Sequence, residues 1–149
     1  MNTRALLVFD GYCGFCTRAV ETISRLDKHQ RLEVRAWQQP GTLEQARLTH
    51  EDVKTAAWLV HNGRQYRGAA AINAAISLAT GNPIVFGFYR TPGIRQLQDF
   101  AYAWIANNRS SLRGVKAFCK RPESNCESGS ASCQIDFATS KTVAQGGNL

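Results

Sequence analysis

Two cysteines separated by two residues follow a short apolar segment near the start of the chain. Residues 4–9 form that segment, which is too short for a helix and predicts a β-strand. Apolar side chains then recur at the spacing of one helical face, at Cys16, Ala19, Val20, Ile23 and Leu26. The pattern predicts a strand, a tight turn and a helix, with Cys13 at the start of the helix and Cys16 one turn further in. Because the first N–H groups of a helix lack partners and carry partial positive charge, this position stabilises a thiolate.

The Cys-x-x-Cys pair has three interpretations: a redox-active dithiol, half of a zinc site, or two inert structural thiols. A zinc site usually needs a second close pair of cysteines or two histidines at ligand spacing. The sequence has neither, since His29, His50 and His61 are scattered along the chain. We therefore expect no metal, and we favour the redox interpretation of Cys13 and Cys16 over the other two.

Two segments of the chain resemble a known family. The first is Asp10-Gly-Tyr-Cys13-Gly-Phe-Cys16, and the second consists of Tyr102, Ile105-Ala106, Asn108-Arg109, Leu112, Gly114 and Cys119. Together they resemble the DCC family of predicted thiol-disulfide oxidoreductases, and the similarity spans about residues 4–119. The resemblance implies a thioredoxin-like fold and thiol-disulfide exchange, and it implies a reaction class more securely than a substrate.

In a dithiol mechanism we expect Cys13 to be the more exposed, attacking thiol and Cys16 to resolve the mixed disulfide. A helix terminus that lowers the pKa of Cys13 from about 8.5 to about 7 would raise its attack rate about threefold.

Asp10 has two interpretations: it accepts the proton of Cys16 during resolution, or its carboxylate accepts local N–H bonds in an Asp-Gly turn. The turn interpretation is favoured. The site is expected to be flanked by Tyr12, Gly14 and Phe15.

The other three cysteines recur every seven residues, at Cys119, Cys126 and Cys133. This spacing is not a recognised metal-ligand pattern. Cys119 occupies the place of the family's trailing cysteine, so it is a candidate third thiol that exchanges with Cys13. Cys126 and Cys133 are interpreted as exposed tail thiols or as one adventitious disulfide.

The remaining elements follow from hydrophobic period and turn signals. Strands are predicted at 31–37, 56–60 and 65–67, with a hairpin turn at Asn62-Gly63, and helices at 42–48, 69–80 and 93–107. Thr42 with Gln45 predicts a capping box for the first of these helices. Residues 84–88 are apolar, and their period does not distinguish a strand from a packed loop. The last helix is predicted to bury one stripe, formed by Ile94, Leu97, Ala101, Trp104 and Ile105.

This order of elements predicts an α/β, thioredoxin-like fold with a four-stranded mixed sheet, flanking helices and an extra C-terminal helix. Thioredoxins and glutaredoxins carry a cis-proline just before the third strand, where it helps to dock the substrate backbone. Here the position reads Thr55-Ala56-Ala57, without a proline. Its absence argues against general reduction of protein disulfides and leaves thiol chemistry itself unaffected.

The formal net charge of +7 is concentrated late in the chain. Residues 1–60 carry eight Lys or Arg against seven Asp or Glu, and residues 61–149 carry ten against four. The densest cluster is Arg109, Arg113, Lys116, Lys120 and Arg121. We interpret it as a solvated basic end rather than a nucleic-acid surface, because no aromatic stacking platform is interleaved with it. The alternative function is a non-catalytic, thioredoxin-like binding module that docks a partner through this basic region.

The length predicts one domain at residues 1–119, followed by a flexible Ser- and Gly-rich tail at 120–149. No apolar stretch approaches the length of a membrane span or the core of a signal peptide. We therefore expect a cytoplasmic protein. Its expected partners are a disulfide-containing protein or a small thiol, with glutathione or a reductase to recycle the site. No cofactor is expected, and the oligomeric state is not predicted.

Overall fold

The computed structural model describes residues 4–127. The four strands are β1 (Ala5–Phe9), β2 (Leu32–Ala36), β3 (Trp58–His61) and β4 (Arg64–Arg67). The six α-helices are α1 (Gly14–Leu26), α2 (Thr42–Ala46), α3 (His50–Thr55), α4 (Ala69–Thr80), α5 (Pro83–Tyr89) and α6 (Ile94–Asn108). A short 3-10 helix follows at Phe118–Lys120.

The strands form one mixed sheet in the order β2-β1-β3-β4. β1 runs parallel to β2 and antiparallel to β3, and β3 pairs with β4 across the predicted hairpin. With helices flanking the sheet, this arrangement confirms the predicted α/β, thioredoxin-like fold. The parallel β1–β2 pair is important for the site, because the carboxyl ends of parallel strands lie at the same edge of a sheet.

β1 is the central element of the core because it is buried along its whole length. Alternate side chains point to opposite faces of a strand. Leu7 and Phe9 accordingly belong to a core formed with α1 and α4, whereas Leu6 and Val8 belong to a second core. The second core also contains Ala46 of α2 and Val53 of α3. The turn that carries the two cysteines therefore starts from the most firmly packed strand.

The region 42–55 differs from the prediction. The helix predicted at 42–48 ends at Ala46, where Arg47 takes a left-handed conformation, and a separate helix α3 follows. The capping box lies at Thr49 and Asp52 rather than at Thr42, whose helix is capped by Gly41 without a side-chain hydrogen bond. The apolar residues 84–88 belong to the helix α5, which begins with Asn82 accepting a hydrogen bond from the N–H of Ile84 at 3.0 Å.

The predicted buried stripe of the last helix is wrong. Leu97 is 68% exposed, Trp104 is 55% exposed, and none of the residues of α6 is buried. The helix instead packs against the rest of the protein through the face that carries Tyr102 and Gln98. The Tyr102 hydroxyl accepts a hydrogen bond from the N–H of Ala57 at 2.9 Å, and Gln98 accepts one from Asn73 of α4 at 2.7 Å.

After α6 the chain returns across the start of α1 in an irregular segment, residues 109–121, which we call the strap. The N–H of Val115 donates to the carbonyl of Gly14 at 3.2 Å, and that of Cys119 donates to the carbonyl of Gly11 at 2.9 Å. The N–H of Phe118 donates to the hydroxyl of Thr17 at 3.1 Å. The strap is thus tied to the cysteine turn at three successive places. Of the predicted tail, residues 128–149 lie outside the described residues.

No helix within residues 4–127 combines the length and the apolar composition that crossing a lipid bilayer requires.

Candidate dithiol site

The turn between β1 and α1 places Cys13 at the N-cap of the helix. Its Sγ accepts a hydrogen bond from the backbone N–H of Cys16 at 3.1 Å, which occupies one of the N–H groups left without a helical partner. The carbonyl of Cys13 accepts from both the N–H and the hydroxyl of Thr17, each at 2.9 Å. The side chain of Cys13 is therefore held at the positive end of α1, where a thiolate is stabilised.

The two thiols have opposite acidities. The pKa of Cys13 is lowered to about 7, chiefly by the hydrogen bond from the Cys16 side chain and also by the Cys16 N–H and the charge of Arg109. Burial and the Asp10 carboxylate act against this shift. The pKa of Cys16 is raised far above its ordinary range, because its proton is held by Cys13 and because it is buried. Near neutral pH about half of the Cys13 thiol is therefore ionised, while Cys16 keeps its proton.

The expectation that Cys13 is the more exposed thiol is wrong. Cys13 is buried at 5% exposure, whereas Cys16 is half-buried. The strap is the physical reason, because it lies against the turn. A Cβ on Gly114 would collide with the backbone of Gly14 and Phe15, and a Cβ on Gly14 would collide with the carbonyl of Val115.

Access to Cys13 is through a pocket of about 350 Å³ between the turn and the strap. Tyr12, Gly14 and Phe15, predicted to flank the site, all line this pocket. On the strap side it is lined by Arg109, Leu112, Val115 and Lys120. The strap therefore contributes two cationic side chains, Arg109 and Lys120, to the lining.

Asp10 is buried at the carboxyl end of β1, and its partners include Tyr12, Gln38 and Arg109. Its Oδ1 accepts from the N–H of Tyr12 at 3.0 Å, as expected for a turn carboxylate, and from Nε2 of Gln38 at 2.8 Å. Its Oδ2 forms an ion pair with Arg109 at 3.5 Å. The carboxylate thereby connects the turn, the segment after β2 and the strap.

Gln38 is one of the site residues that sequence reasoning missed, together with Arg109, whose only assigned role was in the basic cluster. Gln38 is 2% exposed, and its Oε1 accepts from the N–H of Gly11 at 2.9 Å while its Nε2 donates to Asp10. The sequence did contain an indication of this role, because Gln38 follows β2 and Asp10 follows β1. β1 and β2 are parallel neighbours, so the residues that follow them lie at the same edge of the sheet.

Cys119 is not a free third thiol in this structure. It forms a disulfide with Cys126, and the bond lies beside Gly11, where a Cβ would collide with Sγ of Cys119. Cys126 is half-buried and bonded, so its interpretation as an exposed tail thiol is also wrong. Cys13 and Cys16 are both reduced. Cys133 lies outside the described residues.

The loop before β3 is closed by internal hydrogen bonds. None of the peptide bonds described is cis. The N–H of Ala57 donates to the hydroxyl of Tyr102, and the carbonyl of Ala57 accepts from the N–H of Gly68, both at 2.9 Å. Tyr102 thus uses the main-chain donor next to the position where thioredoxins have their proline.

Two members of the basic cluster are used within the chain. Arg109 pairs with Asp10, and Arg121 pairs with Glu21 at 2.8 Å, whereas Arg113, Lys116 and Lys120 are exposed.

No group of three or more His, Cys, Asp or Glu side chains placed to hold a metal ion occurs in the part of the chain that the structure describes.

The fold, with the dithiol at the start of α1, is that of a thioredoxin-like protein. A family model described as DCC1-like thiol-disulfide oxidoreductase matches residues 7–115, and the chain belongs to this family. The match includes the whole cysteine turn and about the first half of the strap, residues 109–115. Comparison with curated proteins and with solved structures gave no match.

Proposed function

We propose that this protein exchanges thiols and disulfides through Cys13 as nucleophile and Cys16 as resolving thiol. The observation that carries the proposal is the contact of 3.1 Å between the Cys16 N–H and Sγ of Cys13, together with a pKa of about 7 for Cys13. The thiolate is the reactive form of cysteine, so a thiol with this pKa is ionised to about one half at neutral pH. Membership of the family supports a redox role of the same kind.

The proposed reaction has two exchange steps. The Cys13 thiolate attacks one sulfur of a substrate disulfide, forms a mixed disulfide, and expels the other substrate sulfur as a thiolate. Cys16 then transfers its proton to a water molecule and attacks Sγ of Cys13, which releases the second substrate thiolate and leaves a Cys13–Cys16 disulfide. The substrate gains two electrons and the protein loses two. Two equivalents of a small thiol such as glutathione, or a reductase, would return the pair to the dithiol.

Because the pKa of Cys16 is raised, its thiol must give its proton to an acceptor before it can attack in the second step. Once Cys13 is in the mixed disulfide, it no longer holds the proton of Cys16 as a thiolate, so the largest cause of the raised pKa is removed. Asp10 acts on both thiols through its negative charge. We assign Asp10 to positioning, because both of its oxygens are engaged by Tyr12, Gln38 and Arg109.

The non-catalytic binding module is less well supported. It requires the basic cluster to be available to a partner, yet Arg109 and Arg121 are engaged by Asp10 and Glu21. A cytoplasmic location stays a prediction from the absence of a signal-peptide core and of a membrane span in the sequence, and in that compartment the exchange would run toward reduction of the substrate.

The deciding experiment is a redox titration of Cys13 and Cys16 in graded glutathione buffers, read by alkylation and mass spectrometry. We expect a reversible two-electron couple between about −180 and −270 mV. In a Cys16→Ser variant, Cys13 should retain a glutathione adduct, because no resolving thiol remains. A Cys13→Ser variant is the matched control and should carry no adduct on Cys16. A pair that stays reduced over this range, with no adduct on Cys13, would refute the proposed function.

A further inference from the structure

The entrance to Cys13 is small, and apart from the Cys13 thiolate itself its charged lining residues are cationic. We propose that the substrate of this site is a low-molecular-weight disulfide or thiol that carries carboxylate groups, and that Lys120 is the residue that selects it. The inference rests on the proposed exchange chemistry and adds a substrate class to it. Three features of the described residues support it: the strap over the turn, the closed loop before β3, and the cationic side chains at the pocket.

The strap limits the size of what reaches the sulfur. Val115 is hydrogen-bonded to the carbonyl of Gly14, and the backbone at Gly114 lies too close to Gly14 and Phe15 to admit a Cβ. An extended polypeptide that lay along the turn would have to displace this segment. The pocket of about 350 Å³ that remains is near the lower end of the roughly 300–1,000 Å³ typical of small-molecule sites.

Both main-chain groups of Ala57, in the loop before β3, are already hydrogen-bonded and are not offered to a polypeptide. Recognition of an extended chain depends on free backbone donors and acceptors at an exposed edge. Here the N–H of Ala57 is satisfied by Tyr102, and its carbonyl is satisfied by Gly68. A small disulfide needs only access to the sulfur and a place for its polar groups, so it is not affected by this closure.

The charge at the pocket favours an anion. Arg109 and Lys120 line it, and no Asp or Glu does so among the described residues. Arg109 is paired with Asp10 at 3.5 Å, so its field is partly neutralised. Lys120 is exposed, and within residues 4–127 no carboxylate lies within ion-pair distance of it. Lys120 is therefore the main uncompensated charge at the entrance, and it attracts carboxylates on a substrate that approaches Cys13.

The first test is a series of small disulfides that differ in charge: glutathione disulfide, neutral bis(2-hydroxyethyl) disulfide and cationic cystamine. We expect kcat/KM to fall in that order relative to the uncatalysed exchange of each reagent with a free thiol. In Lys120→Gln, the preference for the anionic over the neutral reagent should drop roughly fivefold, and added salt should reduce it in the wild type. Arg113→Gln removes an exposed cation of the same strap that does not line the pocket, and the preference should stay within about twofold.

The second test needs no turnover. Alkylation of Cys13 by anionic iodoacetate is compared with alkylation by neutral iodoacetamide, and the ratio is divided by that of a free thiol such as N-acetylcysteine. The wild type should exceed Lys120→Gln in this normalised ratio, and Arg113→Gln should match the wild type. Equal ratios in wild type and Lys120→Gln, or a protein disulfide such as that of insulin reduced faster than glutathione disulfide, would overturn the substrate class. Absence of exchange with every disulfide would instead refute the proposed function.

Discussion

Nε2 of Gln38 donates a hydrogen bond of 2.8 Å to Oδ1 of Asp10, and Oε1 of the same side chain accepts from the N–H of Gly11 at 2.9 Å. One buried amide therefore holds both the carboxylate and the backbone of the turn that precedes Cys13. Because a buried amide must be fully satisfied to be favourable, this geometry leaves the turn little freedom to rotate.

Gln38→Ala should destabilise the protein. Removing the amide leaves the N–H of Gly11 without its acceptor and Asp10 without one donor, and a buried group left unsatisfied costs about 1–3 kcal/mol. The free energy of unfolding, measured by denaturant titration, should fall by that amount. Gln96→Ala, at an exposed position of α6, is the control and should change it by less than about 0.5 kcal/mol. Equal stability of the two variants would show that the amide does not hold the turn.

The reactivity of Cys13 should follow its pKa. Alkylation by neutral iodoacetamide should rise with pH through a midpoint of about 7, because only the thiolate reacts and Cys13 has this pKa. Cys16 should stay unmodified over the same range, since its own pKa is raised. Mass spectrometry of the alkylated peptides separates the two sites. A midpoint near the ordinary value of about 8.5, or preferential labelling of Cys16, would contradict the assignment of the nucleophile.

The elements whose apolar residues recur at a regular spacing could be predicted from the sequence. β1, β2, the hairpin of β3 and β4, and α4 all have clear apolar spacing or an Asn-Gly turn, and all lie close to where they were predicted. The short helices α3 and α5 were not predicted, because six or seven residues give too few turns for a helical period to emerge. Only the caps, at Thr49 and Asn82, indicate them.

The site was predictable where it depends on neighbours in sequence and not where it depends on packing. The position of Cys13 at the N-cap follows from the spacing of two cysteines after a strand. Its burial does not, since the strap that covers it is about 100 residues away along the chain, as the bond between Thr17 and Phe118 shows with a separation of 101. The exposure of the apolar face of α6 was missed for the same reason. Leu97 and Trp104 face outward, because the helix packs against the rest of the protein through Tyr102 instead.

Asp10→Asn should lower the pH midpoint for alkylation of Cys13. The Asp10 carboxylate raises the pKa of both thiols, so neutralising it removes a cause that opposes the thiolate, while the hydrogen bond to Tyr12 is kept by the amide oxygen. Glu21→Gln is the control, because Glu21 pairs with Arg121 and does not act on Cys13. Its midpoint should equal that of the wild type.

The same variant tests the role that we assign to Asp10. Stopped-flow measurement separates attack by Cys13 from resolution by Cys16. If Asp10 only positions the turn, resolution in Asp10→Asn should keep the pH dependence of the wild type. A resolution step slowed by about tenfold or more at neutral pH, with attack unchanged, would show that Asp10 accepts the proton of Cys16 instead.

Gly114→Ala should loosen the strap and expose Cys13. A Cβ at Gly114 would collide with the carbonyl carbon of Gly14 and the nitrogen of Phe15, both rigid backbone atoms, so the strap must shift. Overpacking of this kind costs about 1–3 kcal/mol, which thermal unfolding should reveal as a lower midpoint temperature. Alkylation of Cys13 should become faster at a given thiolate fraction, because the residue is now less covered.

Gly87→Ala is the matched control, since a Cβ there meets nothing within 4 Å and alanine is the better helix former. It should leave alkylation unchanged and stability equal or slightly higher. Unchanged alkylation in Gly114→Ala, in a folded protein, would show that the strap does not limit access to the site.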